Sequence, residues 1–200
     1  FLCNNKKMIW SSGYFQKYNH QLNYISKSSA NHSALIVDNR SSVGFVKNLN
    51  GNTIVKRNLK ILKKSYFSKK NYWYMSGSHD GYLKEYGIVH ERQLEFFFET
   101  FKLVGQDKLI KKRNFKSSNF EIRFHFMPGT KITKTYDGRS ILIELENSGW
   151  KFLCPDHNLQ IETGLYFGKK NSFSENQNIY VLGTTQKEDQ IIKWELSKIT

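Results

Sequence analysis

The chain has 200 residues, 38% hydrophobic and 15% aromatic, which is enough for one domain with a packed core and too apolar for wholesale disorder. No run of about 18 apolar residues is present, which excludes a membrane-spanning helix, and the two cysteines, Cys3 and Cys154, make neither a disulfide framework nor a C-x-x-C metal pair. The formal net charge of +14 points to an acidic partner such as nucleic acid, an anionic membrane or an acidic polysaccharide, although the excess of Lys over Arg with abundant Asn and Ile is also what an A·T-rich genome encodes.

The opening "FLCNNKKMIWSSGYF" carries its charges inside the segment and leads into no long apolar region, so it is not a signal peptide. It has no initiator Met and reads as an entry into β-structure. The expectation is therefore a fragment, or the C-terminal part of a longer protein.

Strand signals follow in series. "SALIVD" (33–38), "YWYMSGS" (72–78), "YGIVHERQLEFF" (86–97), "TFKLVGQDKL" (100–109), "FEIRFHF" (120–126), "SILIELE" (140–146) and "QNIYVLG" (177–183) are short, aromatic and β-branched. "WKFLC" and "IIKWELSKI" behave alike. In "FEIRFHF", Phe120, Ile122, Phe124 and Phe126 share one face, and Glu121, Arg123 and His125 the other. Turn signals fall between the strands: "MPGT" (127–130), "YDGRS" (136–140), "NSG" (147–149) and "CPDHN" (154–158). Asp137-Gly138 reads as a hairpin turn between "KITKTY" and "SILIELE". The stretch 55–70, "VKRNLKILKKSYFSKK", fits either a short helix or a basic strand pair. No long amphipathic helix is evident. Many short strands with closely spaced turns predict one all-β domain, an antiparallel β-sandwich or barrel.

Several polar motifs stand out against this background. "HDGY" (79–82) contains a turn pair, Asp80-Gly81, and reads first as a strand-ending turn; His79 and Tyr82 could also bind sugar hydroxyls. His90 and His125 fall on what read as polar strand faces, where histidines are usually ordinary surface or sheet residues. They would act together only if their strands were neighbours. His32 lies in "KSSANHSALIVDNRSS", in a polar run directly before an apolar strand closed by Asp38. Six histidines supply raw material for a metal site, but none has H-E-x-x-H spacing. No G-x-S-x-G elbow, P-loop or G-x-G-x-x-G is present. "KKSYFSKKNYWYM" mixes bases and aromatics as single-strand nucleic-acid binders do, yet aromatics in a β-rich chain are more often core.

Taken in order, these pieces resemble the heparinase II/III-like polysaccharide lyases. "KSSANHSALIVDNRSS" is similar to that family's R-S-T-x-A-H-N-T stretch before an apolar strand. "HDGYLKEYGIVHERQLEF" resembles its H-D-G-Y followed by V-H-x-R-x-L, and "FKLVGQDKL" its x-L-x-G-x-D-x-L. "IRFHFMPG", "GWKF", "LYFG" and "IKWEL" keep the family's C-terminal order, so the resemblance covers nearly the whole chain.

The resemblance implies that residues 1–200 are the C-terminal β-sandwich that follows a helical toroid, which would lie upstream and be this domain's partner in the same protein. It implies β-eliminative cleavage of an acidic, uronate-containing polysaccharide such as a glycosaminoglycan, in the periplasm or cell envelope of a bacterium. In some members the histidine matching His32 is a zinc ligand. Ser11 stands where the family has a second ligand, an Asp, and a hydroxyl is a poor substitute for a carboxylate in a zinc shell. The H-x-H segment and catalytic Tyr of the family have no counterpart here, so no catalytic residue is expected within this chain. Two other readings stay open: a non-catalytic basic carbohydrate-binding module, and a nucleic-acid-binding β domain using the 55–74 segment.

Overall fold

The computed structural model describes residues 1–3, 6–17, 19–51, 53–113 and 116–199. In chain order its strands are β1 (Leu2–Cys3), β2 (Lys6–Lys7), β3 (Ile9–Trp10), β4 (Leu35–Val37), β5 (Gly44–Lys47), β6 (Thr53–Arg57), β7 (Ile61–Ser68), β8 (Tyr72–His79), β9 (Ile88–Phe97), β10 (Lys102–Lys111), β11 (Asn119–Phe126), β12 (Lys131–Lys134), β13 (Ser140–Leu145), β14 (Ser148–Leu153), β15 (Leu159–Tyr166), β16 (Ser174–Thr184) and β17 (Gln190–Lys198). Two short α-helices interrupt them, α1 (Gln21–Lys27) and α2 (Leu83–Tyr86), together with a 3-10 turn at Ser29–Asn31.

Most strands form two antiparallel sheets, and β1–β2 and β5–β6 stand apart as two-stranded pairs. The larger runs β12-β13-β14-β17-β10-β9-β8-β7, and the smaller runs β15-β16-β11-β3, with β4 also paired to β11. The predicted antiparallel β-sandwich is the observed fold. Alternation explains the layering. Phe120, Ile122, Phe124 and Phe126 of β11 are all 0–1% exposed and face the larger sheet. Phe124 meets Phe152 of β14 and Trp194 of β17, each with ring centroids 4.7 Å away. Burying such a ring is worth roughly 1.5–3 kcal/mol, so this aromatic layer is a principal source of stability.

Turn chemistry falls where the sequence places it. Gly129 and Gly138 take positive φ in the "MPGT" and "YDGRS" turns, and β12 pairs β13 across the latter. The turn after β13 is carried by Asn147 in the left-handed region, so Ser148 and Gly149 of "NSG" already belong to β14. The basic segment 55–70 contributes two strands and no helix. These do not pair with each other: β6 pairs with β5, and β7 with β8. The strand expected to begin at Tyr86 begins at Ile88, because Gly87, at φ +67°, ends α2 first.

The two histidines on what read as polar strand faces are sheet residues, and both are buried. His90 and His125 are only 5% and 2% exposed, so neither is a surface residue. They lie in different sheets, so the condition under which they would act together is not met. His125 is covered because β3 and β4 both pair with β11, which brings Ser12 and the 29–33 turn over its outer side. His90 faces inward because β9 is in register with His79 of β8 on one side and Leu109 of β10 on the other. Among the described residues no helix is long and apolar enough to cross a membrane.

Candidate functional site

Residues 11–12, the 29–33 turn and the outer side of β11 converge on one cluster. The Ser11 hydroxyl lies 2.9 Å from His32 Nδ1. The Ser12 hydroxyl lies 2.8 Å from His125 Nδ1, and His125 Nε2 is 3.0 Å from the carbonyl of Ala30. A carbonyl can only accept, so His125 carries its proton on Nε2, and Ser12 donates to Nδ1. Ser33 ties the pieces together: its hydroxyl accepts from the His125 backbone N–H and donates to the Trp10 carbonyl. Burial pushes His125 down to about 4, reinforced by Arg123 and opposed by the Ala30 hydrogen bond. Burial likewise lowers His32, against a backbone hydrogen bond at Ser26. Both imidazoles are therefore neutral near pH 7. Beside them opens a largely apolar cavity of about 400 Å³, with Ser11, Trp10, Ser33, Arg92 and Trp194 in its wall.

A second polar cluster lies beneath, between the sheets. Asp107 of β10 is completely buried. Its carboxylate accepts from His90 Nε2 at 2.7 Å, Arg92 Nε at 2.7 Å, Arg92 Nη2 at 3.1 Å and Trp194 Nε1 at 2.9 Å. Burial alone would raise the Asp107 pKa; Arg92 and His90 outweigh it and hold the group well below the usual carboxylate range. The next link is His79, whose Nε2 is 3.3 Å from His90 Nδ1 and whose Nδ1 accepts from the Gly81 N–H. The tautomers follow from the ends. Gly81 can only donate, so the His79 proton sits on Nε2 and points to His90, whose own proton points to Asp107. His79 is held at about 4, by burial first and then by His90 and Arg92, with Asp80 opposing.

The two clusters are joined by Arg92. Its Nη1 donates to the carbonyl of Ser33, the residue after His32. Its guanidinium also sits 5.6 Å from the Phe124 ring and 5.9 Å from that of Trp194. Thus the "HDGY", "VHER", "GQD" and "KWEL" motifs converge on one buried network that supports the turn bearing His32.

The site residues expected from sequence are placed as follows. His32 and Ser11 come together, as two positions of one ligand shell would. The donor set does not fit zinc. A closed shell takes four ligands from Cys, His, Asp or Glu, whereas His32 has a serine hydroxyl beside it. Among the described residues no three such side chains lie close enough to hold a metal ion. His79 has both ring nitrogens engaged. Tyr82 is 1% exposed, and its hydroxyl donates to the Leu35 carbonyl at 2.6 Å, with that of Arg40 at 3.3 Å. Burial raises its pKa strongly. Both residues of "HDGY" are thus committed to the protein's own interior.

Asp107 and Arg92, within "GQD" and "VHER", are functional residues that the motifs alone do not single out. A signal was present. Leu103, Gly105, Asp107 and Leu109 alternate onto one face, so an acid in that series had to be buried and paired. Gly105 has its own reason: a Cβ there would lie 2.1 Å from Trp194 Cζ2. The missing side chain makes room for the indole that reaches Asp107.

This sandwich, with its histidine-bearing turn held by a buried Asp–Arg–His network, is of a known class. The chain belongs to the Heparinase II/III-like, C-terminal family, which it matches over residues 1–195. It is similar in structure to the heparan sulfate lyase HepC from Pedobacter heparinus, with a TM-score of 0.77 and 10% identity over 98% of this chain and 29% of that one. It is also similar to a "Heparinase III-BT4657 gene product" (TM-score 0.71, 13% identity, 98% and 28% of the two chains) and to Heparinase III (TM-score 0.69, 12% identity, 98% and 28%). At these identities the likeness establishes the fold. The chain spans under a third of the length of these relatives. No curated protein sequence matches it.

Proposed function

We propose that this chain is the β-sandwich part of a polysaccharide lyase acting on an acidic, uronate-containing polymer. The observation that carries the reading is the family match over residues 1–195, together with a supported turn that brings His32 to Ser11, which lines a cavity. In such an elimination a base removes the proton at C5, the C4–O bond breaks, its electrons pass to oxygen, and a C4=C5 double bond forms. The departing O4 takes up a proton. Neutralising the uronate carboxylate makes the C5 proton removable. In this chain the Ser11 hydroxyl lines the cavity and the neutral His32 stands 2.9 Å behind it, so the pair is assigned the contact with a sugar there. The acid and base are assigned to residues outside it, in an upstream helical domain, and the protein to the bacterial periplasm or cell envelope. No step is assigned to zinc.

The test is the ultraviolet absorbance of unsaturated uronate products released by the full-length protein from heparan sulfate, hyaluronan and other uronate polymers. Products from at least one polymer are expected. The His32→Ala variant is expected to lose about tenfold or more in kcat/KM, equivalent to about 1.4 kcal/mol of transition-state stabilisation, with bound metal unchanged. No product from any uronate polymer would leave a non-catalytic carbohydrate-binding module, which the full engagement of His79, His90 and His125 in the protein's own hydrogen bonds also suits.

A further inference from the structure

A second concave surface lies away from the Ser11–His32 cluster. α1, the β5–β6 hairpin and α2 enclose a groove of about 670 Å³, and Lys84 is shared with an adjoining recess of about 260 Å³ that ends at Arg113. Four cationic side chains line the continuous surface: Arg40, Lys56, Lys84 and Arg113, all solvent-exposed. Two acids share it. Glu85 lies 3.4 Å from Arg40, and Asp80 accepts from the Lys60 backbone N–H at 2.7 Å. Among the described residues neither Lys56 nor Lys84 has an ion pair, so the groove keeps a positive excess. At its other end Tyr24 is 48% exposed, braced edge-on by Phe45 at 5.7 Å.

We propose that this groove is a subsite for the anionic groups of a polysaccharide chain, distinct from the cavity at Ser11 and His32. The inference rests on the polysaccharide reading above and adds where the polymer is gripped. Charge complementarity selects a polyanion, and Arg40 can offer a carboxylate or sulfate a forked pair of donors. One exposed ring with amide and hydroxyl groups nearby, at Asn39 and Ser41, suits the apolar face and hydroxyls of a sugar ring. A single-stranded nucleic acid would call for successive rings on which bases stack; this groove exposes one.

The experiment is equilibrium binding of the full-length protein to immobilised heparan sulfate, to hyaluronan and to a single-stranded oligonucleotide, each at two salt concentrations. Lys56→Glu with Lys84→Glu is expected to weaken heparan sulfate binding about tenfold or more and to flatten its salt dependence. Tyr24→Ala is expected to weaken it several-fold while leaving the salt dependence intact. Lys170→Glu, on an exposed turn elsewhere, is the charge control and is expected to change little. Loss on hyaluronan equal to that on heparan sulfate identifies carboxylate as sufficient, and loss on heparan sulfate alone identifies sulfate; either supports the subsite. Unchanged binding in the double variant, an equal loss in Lys170→Glu, or tighter binding of the oligonucleotide than of heparan sulfate overturns it. Binding is read in the cold before appreciable product is released, and the variants lie outside the Ser11–His32 cluster, so the groove and the lyase reading fail separately.

Discussion

Asp107 shows how one buried charge can organise two functional layers. It is fully shielded from bulk solvent, and its four donors come from three side chains on two strands. Removing one partner of a buried charge pair typically costs about 3–5 kcal/mol, because the remaining charge stays buried. Asp107→Asn is therefore expected to lower unfolding stability by about that amount in urea titrations, and to loosen the turn at Ser33 through Arg92. A loss below about 1 kcal/mol would mean that the network is not a support. At this scale the sequence was only partly legible. Proximity of His32 to Ser11 was anticipated through the family resemblance. The burial of His90 was not, because β9 carries His, Arg and Gln on both faces and shows no apolar alternation to reveal which side is inward. Burial of His125 depended on β3 and β4 arriving from the far N-terminal part of the chain, which no local pattern in "IRFHF" encodes.

Strands were the most legible elements, since alternating aromatic and β-branched residues signal the pleat directly. The inward face of β11, Phe120, Ile122, Phe124 and Phe126, is legible for that reason. β5 and β6 were harder: they form a two-stranded hairpin outside the main sheets, so neither carries a clean inward face. β7 is an edge of the larger sheet, and it exposes Ile61, Leu62, Tyr66 and Phe67. An apolar edge with free backbone groups invites pairing with another chain, and lysines at such an edge oppose it. Lys63 and Lys64 occupy the middle of this one. Lys64→Val is expected to increase light scattering on incubation at moderate temperature without lowering the urea midpoint by more than about 0.5 kcal/mol equivalent. Unchanged scattering would mean that the edge is protected by other means.

Across the whole molecule, pH acts through the buried imidazoles. His79 and His125 titrate at about 4 in the folded protein, against an ordinary value of 6.5. Their native pKa values lie below those of the unfolded chain. Between these limits the unfolded state takes up protons that the native state refuses, so stability is whole above about pH 6.5 and falls as pH drops toward 4. Each imidazole contributes up to about 1.4 kcal/mol per pH unit across that window. Thermal melts are expected to show a falling Tm from pH 7 to pH 5, and His125→Gln to make that fall shallower. A Tm independent of pH over this range would contradict the burial assigned to both rings.

Gly105, Asp107 and Trp194 also constrain how this sequence can change over time. The indole occupies the volume that a side chain at position 105 would need, and its N–H is one of the four donors to the carboxylate. None of the three can be exchanged alone without leaving a clash, a void or an unpaired charge. They should therefore drift together among descendants. In an alignment of relatives, chains that have lost the glycine should also have lost the tryptophan, although the two lie 89 positions apart in sequence.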